Sequence, residues 1–181
     1  MADKGILAVR PLTCDDCCEG AHIEAPRREK TMSKPKDVYV NTAAKDWLPF
    51  YPGFQFKLLR VSAETGTWSV LVQADKGASF PCHTHLGAGE YFMVSGRRGV
   101  RGGAKNGGIT ANAGDYGYEP NGIVHDLTEF PLKTVFVFTN HGAVNFIDEA
   151  GKTVFILDWQ AVLKLEADGL KAQKKALKKA A

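Results

Sequence analysis

Three of the five histidines of this 181-residue chain fall into two glycine-bounded segments, and their spacing restricts the fold more than any other feature. His83-Thr84-His85 lies between Gly77 and Gly96, with Glu90 in the same segment. His125 ends a second segment that runs through Gly114, Pro120 and Gly122. On an extended strand, residues i and i+2 project from the same face. His83 and His85 are therefore expected to point into one cavity, with His125 arriving from a neighbouring strand to complete a facial metal site. Neutral imidazole suits Fe, Zn, Cu and Ni better than Mg or Ca. His22 and His141 lie outside both segments and are read as non-ligands.

The rest of the chain supports a strand-built container for such a site. Extended signals begin at Val38-Tyr39-Val40 and continue at 54–61, 67–73, 90–95, 100–102, 115–119, 123–126, 134–139, 143–146 and 153–157. They are short and rich in Val, Phe, Tyr and Thr. Turn residues separate them, as at Tyr51-Pro52-Gly53, Asn106-Gly107-Gly108, Pro120-Asn121-Gly122 and Glu149-Ala150-Gly151. Many short strands with regular turn signals indicate an all-β sandwich or barrel. The expected organisation is an N-terminal arm over 1–35, disordered or contacting another subunit, then a barrel over 36–158. A short C-terminal helix with a Lys-rich tail follows over 159–181. Asp158 is placed to cap that helix, and Val162, Leu163 and Leu165 to supply its buried side. Beyond Gly169 the Ala- and Lys-rich tail reads as a solvated, fraying helix, because its apolar face is thin for a membrane-binding one.

Charge and cysteine content narrow the function classes. The net charge is +3, concentrated in Arg27-Arg28-Glu29-Lys30 and the C-terminal tail, which reads as solvated flanks and predicts no nucleic-acid partner. No apolar run approaches the roughly 18 residues of a membrane span. The apolar stretch before Arg10 is too short for a signal peptide, so a cytoplasmic address is expected. Cys14, Cys17, Cys18 and His22 cluster in the arm, where they are either incidental thiols or a cramped structural zinc site. Cys82 reads as a packed wall residue.

Around the histidines several side chains have two readings each. Glu90 is either a fourth metal ligand or a strand carboxylate turned away. Glu119 either accepts an imidazole N–H or orients a metal-bound water, or it faces solvent at a strand end. Arg101 and Tyr91 are placed to bring a cation and a phenol to the cavity, whereas Arg97 and Arg98 read as surface. Phe80, Phe92, Phe136 and Phe138 line an apolar pocket or simply pack the barrel.

Both histidine segments together are the double signature of the cupin superfamily, although Glu129 stands where the second motif commonly has asparagine. Three stretches make the likeness more specific. They are Gly89-Glu90-Tyr91-Phe92 through Val100-Arg101-Gly102-Gly103, then Asp115-Tyr116-Gly117-Tyr118-Glu119, then Asn145-Phe146-Ile147-Asp148. From about Val38 to Trp159 the chain resembles the diketone-cleaving acetylacetone dioxygenases, and more distantly the 2,4'-dihydroxyacetophenone dioxygenases. The resemblance implies an all-β cupin double-stranded β-helix, or jelly-roll barrel. It implies His83, His85 and His125 as ligands of a mononuclear non-haem Fe(II), which Zn or Ni can replace in purified protein, and Glu90 as a non-ligand. It implies catalytic roles for Glu119, Arg101 and Tyr91, and a substrate pocket formed by Phe80, Thr128, Phe136 and Asn140. Asn140 stands where relatives carry an aromatic residue, which makes the pocket more polar.

The implied reaction is dioxygen-dependent carbon–carbon cleavage of a β-diketone or related hydroxyketone, giving a carboxylic acid and an α-oxo aldehyde. Arg101 would offset enolate charge near the entrance, and the protein would be a homo-oligomer. The alternatives are a non-oxidative metal-dependent isomerase or hydrolase, favoured if Glu90 joins the ligands, and a metal- or redox-sensing cupin using the cysteine arm.

Overall fold

The stretch Thr67–Ala74 shows how this sequence makes a barrel wall. Trp68, Val70, Val72 and Ala74 are buried, while Ser69, Leu71 and Gln73 between them are half-buried. That period-2 pattern commits one face to the core. The computed structural model describes residues 37–101 and 107–180. The cysteine cluster Cys14, Cys17 and Cys18, with His22, lies outside them.

The described elements are β1 (Leu48–Tyr51), β2 (Phe54–Val61), β3 (Thr67–Ala74), β4 (Ala78–Phe80), β5 (His83–His85), β6 (Gly89–Ser95) and β7 (Arg97–Val100). They continue with β8 (Ile109–Asn112), β9 (Tyr116–Glu119), β10 (Val124–His125), β11 (Thr128–Phe130), β12 (Thr134–His141), β13 (Val144–Ile147), β14 (Thr153–Leu157) and α1 (Trp159–Ala180). A six-stranded sheet runs β1-β2-β3-β12-β6-β9, and two four-stranded sheets run β10-β5-β13-β14 and β4-β11-β7-β8. Every ladder is antiparallel. One core unites residues of all three sheets, as where Phe130 of β11 stacks on Phe136 of β12 at 5.6 Å. This is the all-β cupin barrel that the sequence predicts.

Several elements differ from expectation. Val38-Tyr39-Val40 forms no strand; Tyr39 is 90 % exposed, so nothing rewards extension. The strand expected over 100–102 is Arg97–Val100, and it ends at Arg101, whose φ of 52° breaks the ladder. β1, β4, β8 and β11 were not predicted; each has only three or four residues, too few to show a period. The C-terminal helix is long, with 22 residues. Asp158 caps it as predicted, with its Oδ1 accepting from the Ala161 N–H at 2.8 Å. Of the three residues expected on its buried side, Val162 is buried and Leu165 half-buried as predicted, whereas Leu163 is exposed and Gly169 is buried in its stead. Gly169 allows close approach to β1, since a Cβ there would press on the Leu48 side chain at 3.2 Å.

Candidate metal centre

β5 pairs on one side with β10, which sets His125 opposite His83, and on the other with β13. Alternation along β5 buries His83 and His85 and leaves Thr84 between them half-buried. The three imidazoles are all buried, and one nitrogen from each lies within 4.8 Å of the others. His83 Nδ1–H donates to the Pro81 carbonyl at 2.8 Å, and His85 Nδ1–H to Asn140 Oδ1 at 3.3 Å. Both bonds hold the tautomer that presents a bare Nε2 to the centre. His125 Nδ1 lies 3.2 Å from His83 Nε2. Burial lowers the basicity of all three rings, holding His83 and His125 to a pKa of about 4 and pushing His85 below its ordinary value. At neutral pH the rings are therefore unprotonated, as ligation requires.

The residues fit a divalent metal. His85 Nε2 and Glu119 Oε2 are buried, lack a hydrogen-bond partner among the described residues, and face each other at 3.4 Å. Such orphaned acceptors are costly unless a cation or water satisfies them. Glu119 Oε1 lies 3.6 Å from His125 Nε2 and accepts from Arg98 Nη2 at 2.7 Å. Burial pushes the Glu119 carboxyl up, but the Arg98 guanidinium and the imidazoles outweigh it and hold it below the usual range. Arg98 lies over the Tyr91 ring, 4.2 Å from its centroid. Burial raises the Tyr91 phenol above its ordinary pKa.

The other sequence-predicted residues divide clearly. Phe80, Phe136, Phe138, Arg98 and Glu119 line the same narrow chamber of about 60 Å³ as His83 and His85. Thr128 and Asn140 are fully buried, and Asn140 bears on the site through His85. Arg101 is exposed at the end of β7, and its charge reaches His125 as a small depressing effect. Arg98, expected on the surface, is instead only 4 % exposed. The Gly96 turn starts β7 with Arg97 facing outward, so alternation sends Arg98 inward. Glu90 turns outward with Phe92, because Tyr91 and Met93 take the core face of β6. It accepts from His141 Nε2 at 3.2 Å and is no ligand here. Phe146, not anticipated, packs 5.3 Å from the His83 ring; an alternating Val144-Asn145-Phe146 was the available signal.

Comparison with known proteins agrees with this geometry. Residues 35–145 match the family described as the ChrR cupin-like domain. The chain is 39 % identical over 128 residues to an acetylacetone-cleaving enzyme of Acinetobacter johnsonii, a match spanning 68 % of this chain and 84 % of that protein. The solved acetylacetone dioxygenase of that organism superposes with a TM-score of 0.72 at 35 % identity, covering 75 % of this chain and 94 % of the other. A putative acetylacetone dioxygenase of Methylibium petroleiphilum PM1 superposes at 0.69 with 39 % identity, covering 72 % and 94 %. The chain thus belongs to the ChrR cupin-like family, as an acetylacetone-dioxygenase-like cupin.

Proposed function

We propose that the chain is a mononuclear Fe(II) dioxygenase that cleaves a carbon–carbon bond of a 1,3-dicarbonyl compound. The observation that carries this is the trio of buried imidazoles, two of which, His83 and His85, line an aromatic chamber, in a chain whose relatives include an acetylacetone-cleaving enzyme. The metal, when bound, supplies Lewis acidity towards the two substrate oxygens and the electrons that activate dioxygen. Pro81 and Asn140 fix the ring planes of His83 and His85. Arg98 holds one oxygen of Glu119, which leaves Oε2 facing the chamber as the acceptor for the substrate's enol proton. Tyr91 remains a protonated donor beside this pair, and Arg101 at the rim offsets enolate charge on entry. Phe80, Phe136, Phe138 and Phe146 exclude water, while Thr128 shapes the pocket wall between β4 and β7. The overall change balances as R–CO–CH2–CO–R′ plus O2 giving R–COOH plus R′–CO–CHO.

The reading includes a cytoplasmic homo-oligomer. The free thiol of Cys82, adjacent in sequence to His83, suits a reducing compartment. Phe92, Val94, Tyr116 and Tyr118 form an exposed apolar patch on β6 and β9, of the kind that subunits bury.

A non-oxidative metal-dependent cupin using zinc or nickel is the second reading. It is favoured by a carboxylate oxygen, Glu119 Oε2, that lies 3.4 Å from His85 Nε2. Oxygen uptake decides between them. Protein purified anaerobically and loaded with Fe(II) is expected to consume one O2 per 2,4-pentanedione and to release acetate and methylglyoxal. His125→Ala should abolish uptake. A fully iron-loaded protein that consumes no oxygen with any diketone sinks the dioxygenase reading.

A further inference from the structure

His141 and Glu90 lie on the outer face of the six-stranded sheet, and neither belongs to the ligand trio. Each ring nitrogen of His141 reaches a different neighbouring strand. Its Nε2 lies 3.2 Å from Glu90 Oε1 on β6, and its Nδ1 lies 3.3 Å from Thr67 Oγ1 on β3. An ionised carboxylate only accepts, so the proton sits on Nε2, and Nδ1 accepts from the Thr67 hydroxyl. Thr65 Oγ1 donates to that hydroxyl in turn, at 2.9 Å. The His141 backbone N–H donates to the Ala88 carbonyl at 2.8 Å, just before β6 begins. β12 lies between β3 and β6, so His141 ties all three strands together.

His85 is held from within at the same place. Gly89 and Asn140 stand opposite each other across β6 and β12. They precede Glu90 and His141 in the chain, and alternation turns them to the core as it turns Glu90 and His141 out. A Cβ on Gly89 would come within 2.9 Å of the His85 imidazole, and Asn140 Oδ1 accepts from His85 Nδ1–H at 3.3 Å. That bond is long, so a small separation of the strands breaks it. We propose that Glu90 and His141 are positioning residues, an outer clamp on β6 and β12 that holds the His85 ring in place for metal. This rests on the metal-centre reading above. The two side chains are 38 % and 44 % exposed, and an exposed pair contributes little to stability by itself. Its effect is expected in metal affinity and not in the fold. Loss of a partner bonded directly to a ligand costs about 10–100-fold in affinity, and a clamp acting through the strands should cost about three- to tenfold.

The test titrates the whole metal-free chain with zinc(II) against a chromophoric chelator, and with cobalt(II) followed by visible absorption. His141→Leu and Glu90→Leu should each weaken zinc binding by about three- to tenfold and shift the cobalt bands. The double variant should lose no more than either single one, because both remove the same contact. Glu90→Gln keeps an acceptor for His141 and should hold affinity and spectrum near those of the unsubstituted protein. The unfolding midpoint of metal-free protein should barely move in any of them. Unchanged zinc affinity and cobalt spectrum in both leucine variants overturn the clamp and leave the metal centre standing. A loss in Glu90→Leu with none in His141→Leu also overturns it, since the carboxylate would then act through its charge. Equal losses in Glu90→Gln and Glu90→Leu would do the same. If the unsubstituted protein binds neither metal, the clamp and the metal-centre reading fall together.

Discussion

Arg98 and Glu119 form a buried ion pair beside the three histidines. Glu119 sits within 3.4 Å of His85 Nε2, close enough to join the ligands, and Arg98 holds its other oxygen at 2.7 Å. A carboxylate tied to a buried guanidinium is a weaker metal ligand than a free one, because coordination would compete with that pair. Removing Arg98 should release it. We expect Arg98→Met to change the visible absorption of the Co(II)-substituted protein towards a centre with one more oxygen ligand. Metal should also be held more tightly. Breaking one side of a buried pair should lower stability by about 3–5 kcal/mol, less whatever the new metal bond returns. An unchanged Co(II) spectrum would show that Arg98 only packs. Arg98→Lys keeps the charge but loses the planar fork, and should give an intermediate spectrum.

Pairing of β6 with β9 positions the second half of the site. The register sets Gly89 opposite Glu119 and Tyr91 opposite Gly117. Both glycines serve close approach: a Cβ on Gly117 would run into the Tyr91 ring, and one on Gly89 would come within 2.9 Å of the His85 imidazole. Tyr91 cannot yield freely, since its ring is buried beneath Arg98. Gly117→Ala is therefore expected to displace Tyr91 and the Arg98 pair together. The cost should be about 1–3 kcal/mol in denaturant unfolding, with a reduced rate of oxygen uptake. Full activity and an unchanged unfolding midpoint would mean that β9 shifts outward without disturbing the site.

At the scale of the whole molecule, metal binding and folding share the same three buried rings. In the metal-free fold His83 and His125 have pKa values of about 4, against an ordinary 6.5. The unfolded chain thus takes up protons first. Their contribution to stability is fully present above about pH 6.5 and is lost as pH falls from there through 4. The denaturation midpoint of metal-free protein should fall across that window, and His83→Gln combined with His125→Gln should flatten the slope. A flat profile in the unsubstituted protein would contradict the buried, neutral state of these rings. Metal present at a hundred times its dissociation constant should add about 2.7 kcal/mol of stability, which chelation removes as a lower unfolding temperature.

Periodicity and spacing within the chain determined the all-β class, the clustering of three histidines and the cap of α1, and the resemblance of the two histidine segments supplied the cupin barrel. The first three depend on contacts between near neighbours: alternation places His83 with His85, turn glycines delimit the strands, and Asp158 bonds three residues along. What only the tertiary structure decided depends on which strands become neighbours. Arg98 and Glu119 are 21 positions apart in sequence, and no local pattern marks them as a pair. Glu90 has a spacing compatible with ligation, yet core packing by Tyr91 and Met93 turns it towards His141. Leu163 carries the right residue type for a helix core, but the helix packs on Val162, Leu165 and the close approach at Gly169, which leaves Leu163 exposed. Side-chain type and period limit what a residue can do; the register of distant strands selects which of its roles it performs, because only that register supplies the partner that makes burial of a charge affordable.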